Sequence, residues 1–488
     1  MNHTRRKKRL DPSLSRTDSS LSPEMPSPTK SPAINPVRVR YLLLLLSVFA
    51  VIYLFFFFYG PLRSAQFPSI PRSLSVYATR RRHLLFSIAA SHDSWLRRSS
   101  YVRLWYSPKS TRALVFLDRG GFESDPSLPP VIVSEDVSRF PYTFPGGLRS
   151  AIRVARVVKE AVDRGDLDVR WFVFGDDDTL FFVDNLLRVL SKYDYRKWYY
   201  VGSNSESYDQ NVRYSFDMAF GGGGFAISAS LARVLAKVLD SCLMRYSHMY
   251  GSDSRIFSCL AELGVALTHE PGFHQIDIRG NLFGLLCAHP LSPLVSLHHL
   301  DAVDPIFPKL NRSEAMDHLM EAVNVDSTRI LQQSVCYDQA NSLTVSVVWG
   351  YAIQVYEGNK LLPDLLSLQK TFTTWRRGSR VQSNYMFNTR DYPRDPCERP
   401  LVFFLDGVGS DGSGGTWSNY TRHVVGNCRR AKVKLLEQIR ILSPKMELDI
   451  EQMKSPRRHC CDISPSYDAL MVINVRECMG DEIIAMKS

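Results

Sequence analysis

The chain has 488 residues, 44% of them hydrophobic and 22% charged; that is enough apolar material for two or three buried cores, and it excludes disorder along the whole length. Its net charge of +11 suggests a polyanionic partner only until the charge is located: residues 1–40 hold nine Lys or Arg against three acids, leaving +5 for the other 448 residues. No basic stripe interleaved with aromatics runs through those 448, so nucleic-acid binding is set aside.

Residues 1–40, rich in Ser, Pro and basic side chains, are too polar to fold and read as a disordered cytosolic tail. Residues 41–59 read YLLLLLSVFAVIYLFFFFY, nineteen positions with one Ser and no charge. As a helix this segment would be about 28 Å long, close to the hydrocarbon thickness of a bilayer. A cleaved signal peptide would have a shorter apolar run, near the start and before a small-residue site, so a single transmembrane helix is expected. The basic tail leaves the N-terminus cytosolic and sends the rest of the chain to the far side of the membrane. Residues 60–80, punctuated by Pro61, Pro68 and Pro71, read as an extended stem. All nine cysteines lie beyond the apolar segment, which suits an oxidising compartment. Cys242 and Cys259 are close enough to pair, and the odd count leaves at least one thiol over.

Ordered structure is expected from residue 81. His83 to Ser91 and Arg112 to Asp118 are short apolar runs of strand type. From Gly147 to Arg164, Leu148, Ile152, Ala155, Val158 and Val162 recur at helical spacing. VRWFVFGDDDTLFF is then a buried strand running straight into three carboxylates. Strand, helix and strand with burial on both faces predict an α/β sandwich around a mixed, mainly parallel sheet. VDNLLRVLSKY and SASLARVLAKVLDSCL follow as helices, WYYVGS as a strand, and FGGGGFAIS as a Gly-rich turn into another element. Beyond about residue 310 the strand-like runs LTVSVVWGYAIQVYEG, RPLVFFLDGV and ALMVINVREC, with their cysteines, predict a smaller β-rich domain over 311–488.

The chemistry points first to Asp176, Asp177 and Asp178. Three like charges at the end of an apolar strand raise one another's pKa unless a cation compensates, and hard oxygen ligands suit Mn²⁺ or Mg²⁺. Side-chain alternation would aim Asp176 and Asp178 the same way and turn Asp177 aside. Asp253 is a candidate general base, and by position also a candidate N-cap of a helix starting at Ser254. Five of the twelve histidines lie between Thr268 and His299, a density that suits one metal ligand, although most would be ordinary core or surface residues. The run Gly221 to Gly224 permits close backbone approach to a ligand but lacks the spacing of a dinucleotide or phosphate loop.

In order, WFVFGDDDTLFF, FGGGGFAIS, GSDSRIFSCLAELGV, GFH and VSLHHLD resemble the Fringe-related β-1,3-glycosyltransferases, and WGYAIQVYEG, MFNTR and DPCERPLVFFLD are similar to that family's plant branch. The resemblance covers residues 80 to 480. It implies a GT-A-like nucleotide-sugar-binding sandwich over 81–310 and inverting, metal-dependent transfer from a UDP-sugar to a glycan or glycoprotein hydroxyl. It also implies residence in the Golgi membrane as a single-pass type II protein with its catalytic part in the lumen. Carried over, Asp253 aligns with the catalytic base, Asp176 and Asp178 with the metal-binding DxD pair, and Asp176, Asp177, Gly222 and Gly223 with the donor pocket. Where the family has FHSH this chain has FHQI, so the histidine ligand is His274 or, in VSLHH, His298. The alternative reading is a catalytically silent lumenal glycan-binding or scaffolding protein that retains the fold.

Overall fold

The apolar runs are buried on both faces and pair with one another, as a sheet enclosed between helices requires. The computed structural model describes residues 36–59, 78–375, 384–426, 428, 435–464 and 469–485, and it divides into two units, 1–75 and 76–488. In the first unit the described element is helix α1, Pro36–Tyr59, whose leucines at 42–46 are all exposed. Among the described residues no helix is long and apolar enough to cross a membrane. Residues 1–35 of the expected tail and 60–77 of the expected stem lie outside the described residues.

In the second unit, β1 (Leu84–Ala89), α2 (His92–Trp105), β2 (Arg112–Leu117), β3 (Val131–Val133), α3 (Ser150–Asp163) and β4 (Trp171–Asp176) follow in sequence. Then come β5 (Leu180–Phe181), α4 (Val183–Leu190), β6 (Tyr200–Gly202), α5 (Tyr208–Arg213), β7 (Phe225–Ser228), α6 (Ala229–Arg245), α7 (Ser252–Glu262) and β8 (Leu267–His269). The seven-stranded sheet has the order β3-β2-β1-β4-β7-β6-β8. Its pairs are parallel except where β7 lies antiparallel between β4 and β6, so the sheet is mixed and mainly parallel, as expected. Helices α3, α6 and α7 cover one face, through Ile152, Val158, Leu235, Leu239 and Ile256. Helix α3 begins at Ser150, three residues after the expected Gly147. Leu148 is exposed and its apolar side chain takes no part in the buried face.

A small sheet joins β5 to β11 (Ser296–Leu297) and β9 (Phe273–His274), with β10 (Ile278–Gly280) just after β9 in sequence. After helix Arg312–Asp326 comes the β-rich part. Its eight strands lie side by side in the order Gln333–Asp338, Leu343–Val348, Ala352–Glu357, Leu401–Ser410, Gly415–His423, Gln438–Pro444, Leu470–Arg476, Cys460–Ile463. One continuous core runs from Leu84 and Trp171 through Phe283 and Tyr351 to Ile439 and Ile473, so this sheet shares its interior with the α/β part. Disulfides join Cys242 to Cys259, Cys336 to Cys461, Cys397 to Cys428 and Cys460 to Cys478, and the ninth thiol, Cys287, is buried.

Candidate metal and active site

Strand β4 pairs in parallel with β1 up to Ala89 opposite Asp176, so the three aspartates leave the sheet at its carboxyl edge, where ligands of open α/β sheets gather. The strand ends at Asp176 and a turn follows, closed by the Thr179 amide on the Asp176 carbonyl at 3.1 Å. Thr179 Oγ1 accepts from the Asp176 amide and donates to the Gly222 carbonyl, each at 2.8 Å. This turn, rather than strand pleating, aims the side chains. Asp176 and Asp178 converge on His298, whose Nε2 is 3.9 Å and 3.1 Å from them. Asp177 turns away to Ser94 and to Arg98 Nη1 at 3.5 Å. It is not among the residues that line the adjoining cavity.

That cavity, of about 510 Å³, is lined by Asp176, Asp178, Gly222, Asp253, His298 and Trp375 among others. The glycine run reaches it because β7 is antiparallel: the residues just before Phe225 stand at the edge where β4 ends. A Cβ at Gly222 would lie 2.1 Å from His298 Cε1, and one at Gly221 would lie 2.5 Å from Asp253 Oδ1. The glycines are therefore required by close approach of the site's own side chains. The Gly223 amide donates to Gln275 Oε1 at 2.6 Å, and its carbonyl accepts from the Ser296 hydroxyl.

Asp253 is the second residue of α7, whose cap is Gly251, and its side chain does not cap the helix, contrary to the N-cap expectation. It takes a hydrogen bond from the Gly221 amide and one from Ser252 Oγ at 3.1 Å. Arg255, fully buried, holds the preceding loop by donating to the Gly251 carbonyl at 2.8 Å.

The candidate histidines separate. His298 is 3% exposed; its ring centre lies 3.9 Å from that of His299, the two rings tilted by 34°, and His299 stacks at 4.3 Å on Trp375. The two consecutive rings come this close where His299 adopts a left-handed backbone, φ +52. His274 is elsewhere: its Nδ1 is 3.1 Å from Glu206 and its Nε2 3.0 Å from His289. With both ring nitrogens engaged away from the aspartates, His274 is not brought into the cluster, and His298 is the imidazole that joins it. At the position of the lost second histidine, Ile276 is buried with φ +55, and its amide donates to Glu206 at 2.8 Å.

Burial pushes Asp176 up to about 7, opposed by His298 and reinforced by Asp178, Asp253 and Asp177. Its carboxylate keeps 40% of its surface open to the cavity, and water there softens that push. Asp178 is also pushed up by burial, but His298 and Arg98 outweigh this and hold it at about 2. For His298, burial acts downward and is overcome by Asp178, Asp176 and Asp277, raising it to about 9. Burial raises Asp253 as well.

Asp176, Asp178 and His298 offer ligand atoms all within 4.8 Å of one another. Both Asp178 oxygens are buried without an aligned hydrogen bond, their contacts to His298 and Arg98 being contacts of charge. Two carboxylates and an imidazole fit a divalent ion such as Mn²⁺ or Mg²⁺, and ligation requires His298 to give up its proton. Sequence reasoning missed Arg98, Gln275, Asp277, Asp301 and Trp375. Gln275 and Asp277 stand in the very stretch, FHQID, that departs from the family pattern, and that departure was the available signal.

The fold and site thus define a mixed α/β protein with an acidic and imidazole cluster at the carboxyl edge of its main sheet. The chain belongs to the DUF604 family, described as proteins of unknown function, whose model matches residues 210–461. It is 31% identical over 154 residues to a beta-1,3-glucosyltransferase of Mus musculus, covering 31% of this chain and 29% of that protein. To a beta-1,3-glucosyltransferase of Homo sapiens it is 30% identical over 120 residues, covering 24% and 23%. The chain therefore spans less than a third of the length of these curated relatives. Two structures of LgtC, an active-site mutant and a galactosyltransferase complex with donor and acceptor sugar analogs, match 38% of this chain and 71% and 72% of theirs. At 14% and 15% identity and a TM-score of 0.25 each, this overlap is too slight to argue from.

Proposed function

We propose that the protein is a metal-dependent, inverting glycosyltransferase of β-1,3 type that transfers a sugar from a UDP-sugar to a hydroxyl of a glycan or glycoprotein. The observation that carries this reading is the convergence of Asp176, Asp178, His298 and Asp253 on one cavity at the sheet's carboxyl edge. Partial identity to beta-1,3-glucosyltransferases supports the same class. Asp176, Asp178 and a neutral His298 would hold Mn²⁺ or Mg²⁺, and the ion supplies neutralisation of the charge that grows on a departing diphosphate. Gly222, in the cavity wall, and its neighbour Gly223 would present backbone rather than a side chain to the donor. Asp253, lifted by burial and steadied by Gly221 and Ser252, is a stronger proton acceptor once ionised and would take the acceptor hydroxyl's proton.

In this reading residues 81–310 form a GT-A-like catalytic part braced by the β-rich part over 311–488, and residues 41–59 anchor the chain in the Golgi membrane with both parts in the lumen. The basic tail supports that orientation, and four disulfides suit the compartment. The segments WGYAIQVYEG, MFNTR and DPCERPLVFFLD support the plant branch of the Fringe-related family. The test uses the full-length chain in detergent with MnCl₂ and a panel of UDP-sugars, with UDP release as the readout. Asp178→Asn is expected to lose Mn²⁺ binding; Asp253→Asn is expected to keep it while turnover falls by about 10²–10⁴. A folded wild-type chain that neither binds nor turns over any donor would overturn the proposal.

A further inference from the structure

Among the described residues, the cations within 4 Å of Asp176, Asp177 and Asp178 are His298 and one other, Arg98. Arg98 lies on α2, about a third exposed, in the wall of the same cavity. Its two ends are held differently. Nε donates to Asp301 at 2.9 Å, an anchor that Tyr101, one turn along α2, shares through its hydroxyl at 2.7 Å. Asp301 stands in the short turn directly after His298 and His299, so α2 is fastened to the segment that carries the candidate imidazole ligand. Nη1 donates a long hydrogen bond, 3.5 Å, to Asp177 Oδ1 and lies 3.2 Å from Asp178 Oδ2, which receives no aligned hydrogen bond. The guanidinium is thus fixed at its base and loosely held at its tip.

We infer that Arg98 is a built-in counter-cation of this site: its tip stands against Asp178 where a divalent ion would bind, and once the ion is there it turns to the diphosphate of the nucleotide. This rests on the function proposed above and adds a residue role to it. The physical argument is competition for one carboxylate. Asp178 Oδ2 cannot be fully engaged by both a guanidinium and a metal ion, and a guanidinium released beside a metal-bound diphosphate has the forked geometry that phosphate oxygens favour. The anchor at Asp301 keeps it within reach in either role.

The inference requires metal and nucleotide affinity to move in opposite directions. The full-length chain in detergent is titrated calorimetrically with MnCl₂ alone, and then with UDP at saturating Mn²⁺. Arg98→Ala is expected to bind Mn²⁺ a few-fold more tightly than wild type, because a competing cation has gone. The same variant is expected to bind UDP about tenfold more weakly or worse. Arg98→Lys keeps the charge without the fork; it is expected to bind Mn²⁺ as wild type does and UDP less tightly, and it serves as the check should the alanine variant fail to fold. Weaker Mn²⁺ binding by Arg98→Ala, or no change in either affinity, would overturn the role of Arg98 while leaving the metal site standing. A wild-type chain that binds no Mn²⁺ would overturn the metal reading and this inference with it.

Discussion

Replacing Gly222 with alanine adds one methyl group in a position where the structure has no space for it. The new Cβ would sit 2.1 Å from Cε1 of His298 and 2.5 Å from both ring nitrogens. Ordinary contact begins near 3.4 Å, so the imidazole must withdraw by about 1.3 Å. It has nowhere easy to go, since its Nδ1 lies 3.3 Å from the Gln275 carbonyl and its ring centre 3.9 Å from that of His299. Metal–ligand distances tolerate only about 0.2 Å, so a shift of this size removes His298 from any coordination sphere shared with Asp176 and Asp178. Overpacking of this kind costs about 1–3 kcal/mol of stability, while loss of a ligand should weaken Mn²⁺ binding by about tenfold or more. Calorimetric titration with MnCl₂, with the thermal midpoint followed in parallel, separates the two effects. Gly407→Ala is the control, because a Cβ there meets nothing within 4 Å. A folded Gly222→Ala chain with wild-type Mn²⁺ affinity would refute the assignment of His298 as a ligand.

The remaining predictions concern stability. The Cys242–Cys259 disulfide closes a loop of 17 residues between α6 and α7, just beyond Asp253; replacing both cysteines with alanine should cost about 3 kcal/mol in urea unfolding, and an unchanged midpoint would count against the bridge. His459 is held down to about 4 by burial and by Arg329, whose Nη1 donates to its Nδ1 at 3.0 Å. Between its ordinary value of 6.5 and about 4 the unfolded chain binds a proton that the folded chain refuses. Stability should therefore fall as pH drops through that window, by about 3 kcal/mol at most, and be level above it. His459→Gln should flatten the dependence, and equal slopes in the two proteins would refute this account.

The local signals were strong where a single strand or helix settles its own environment. Apolar runs such as WFVFGD and the helical periodicity of α6 depend on short-range pattern alone, and so does the position of three aspartates at a strand's end, which is why the mixed α/β class and the acidic cluster were legible. What separates His298 from His274 is different in kind. Both are histidines at the end of short apolar strands, and only the pairing of β11 with β5 and β9 brings one beside Asp178 and the other beside Glu206. The glycine run illustrates the same division: its sequence permits any tight turn, and the need for glycine at Gly222 comes from a histidine 76 positions away. Arg98 and Asp301 lie 203 residues apart, and no periodicity encodes their contact. Composition and pattern determine which segments must be buried and where charge is costly; which distant side chains relieve that cost is decided only when the sheets close around them.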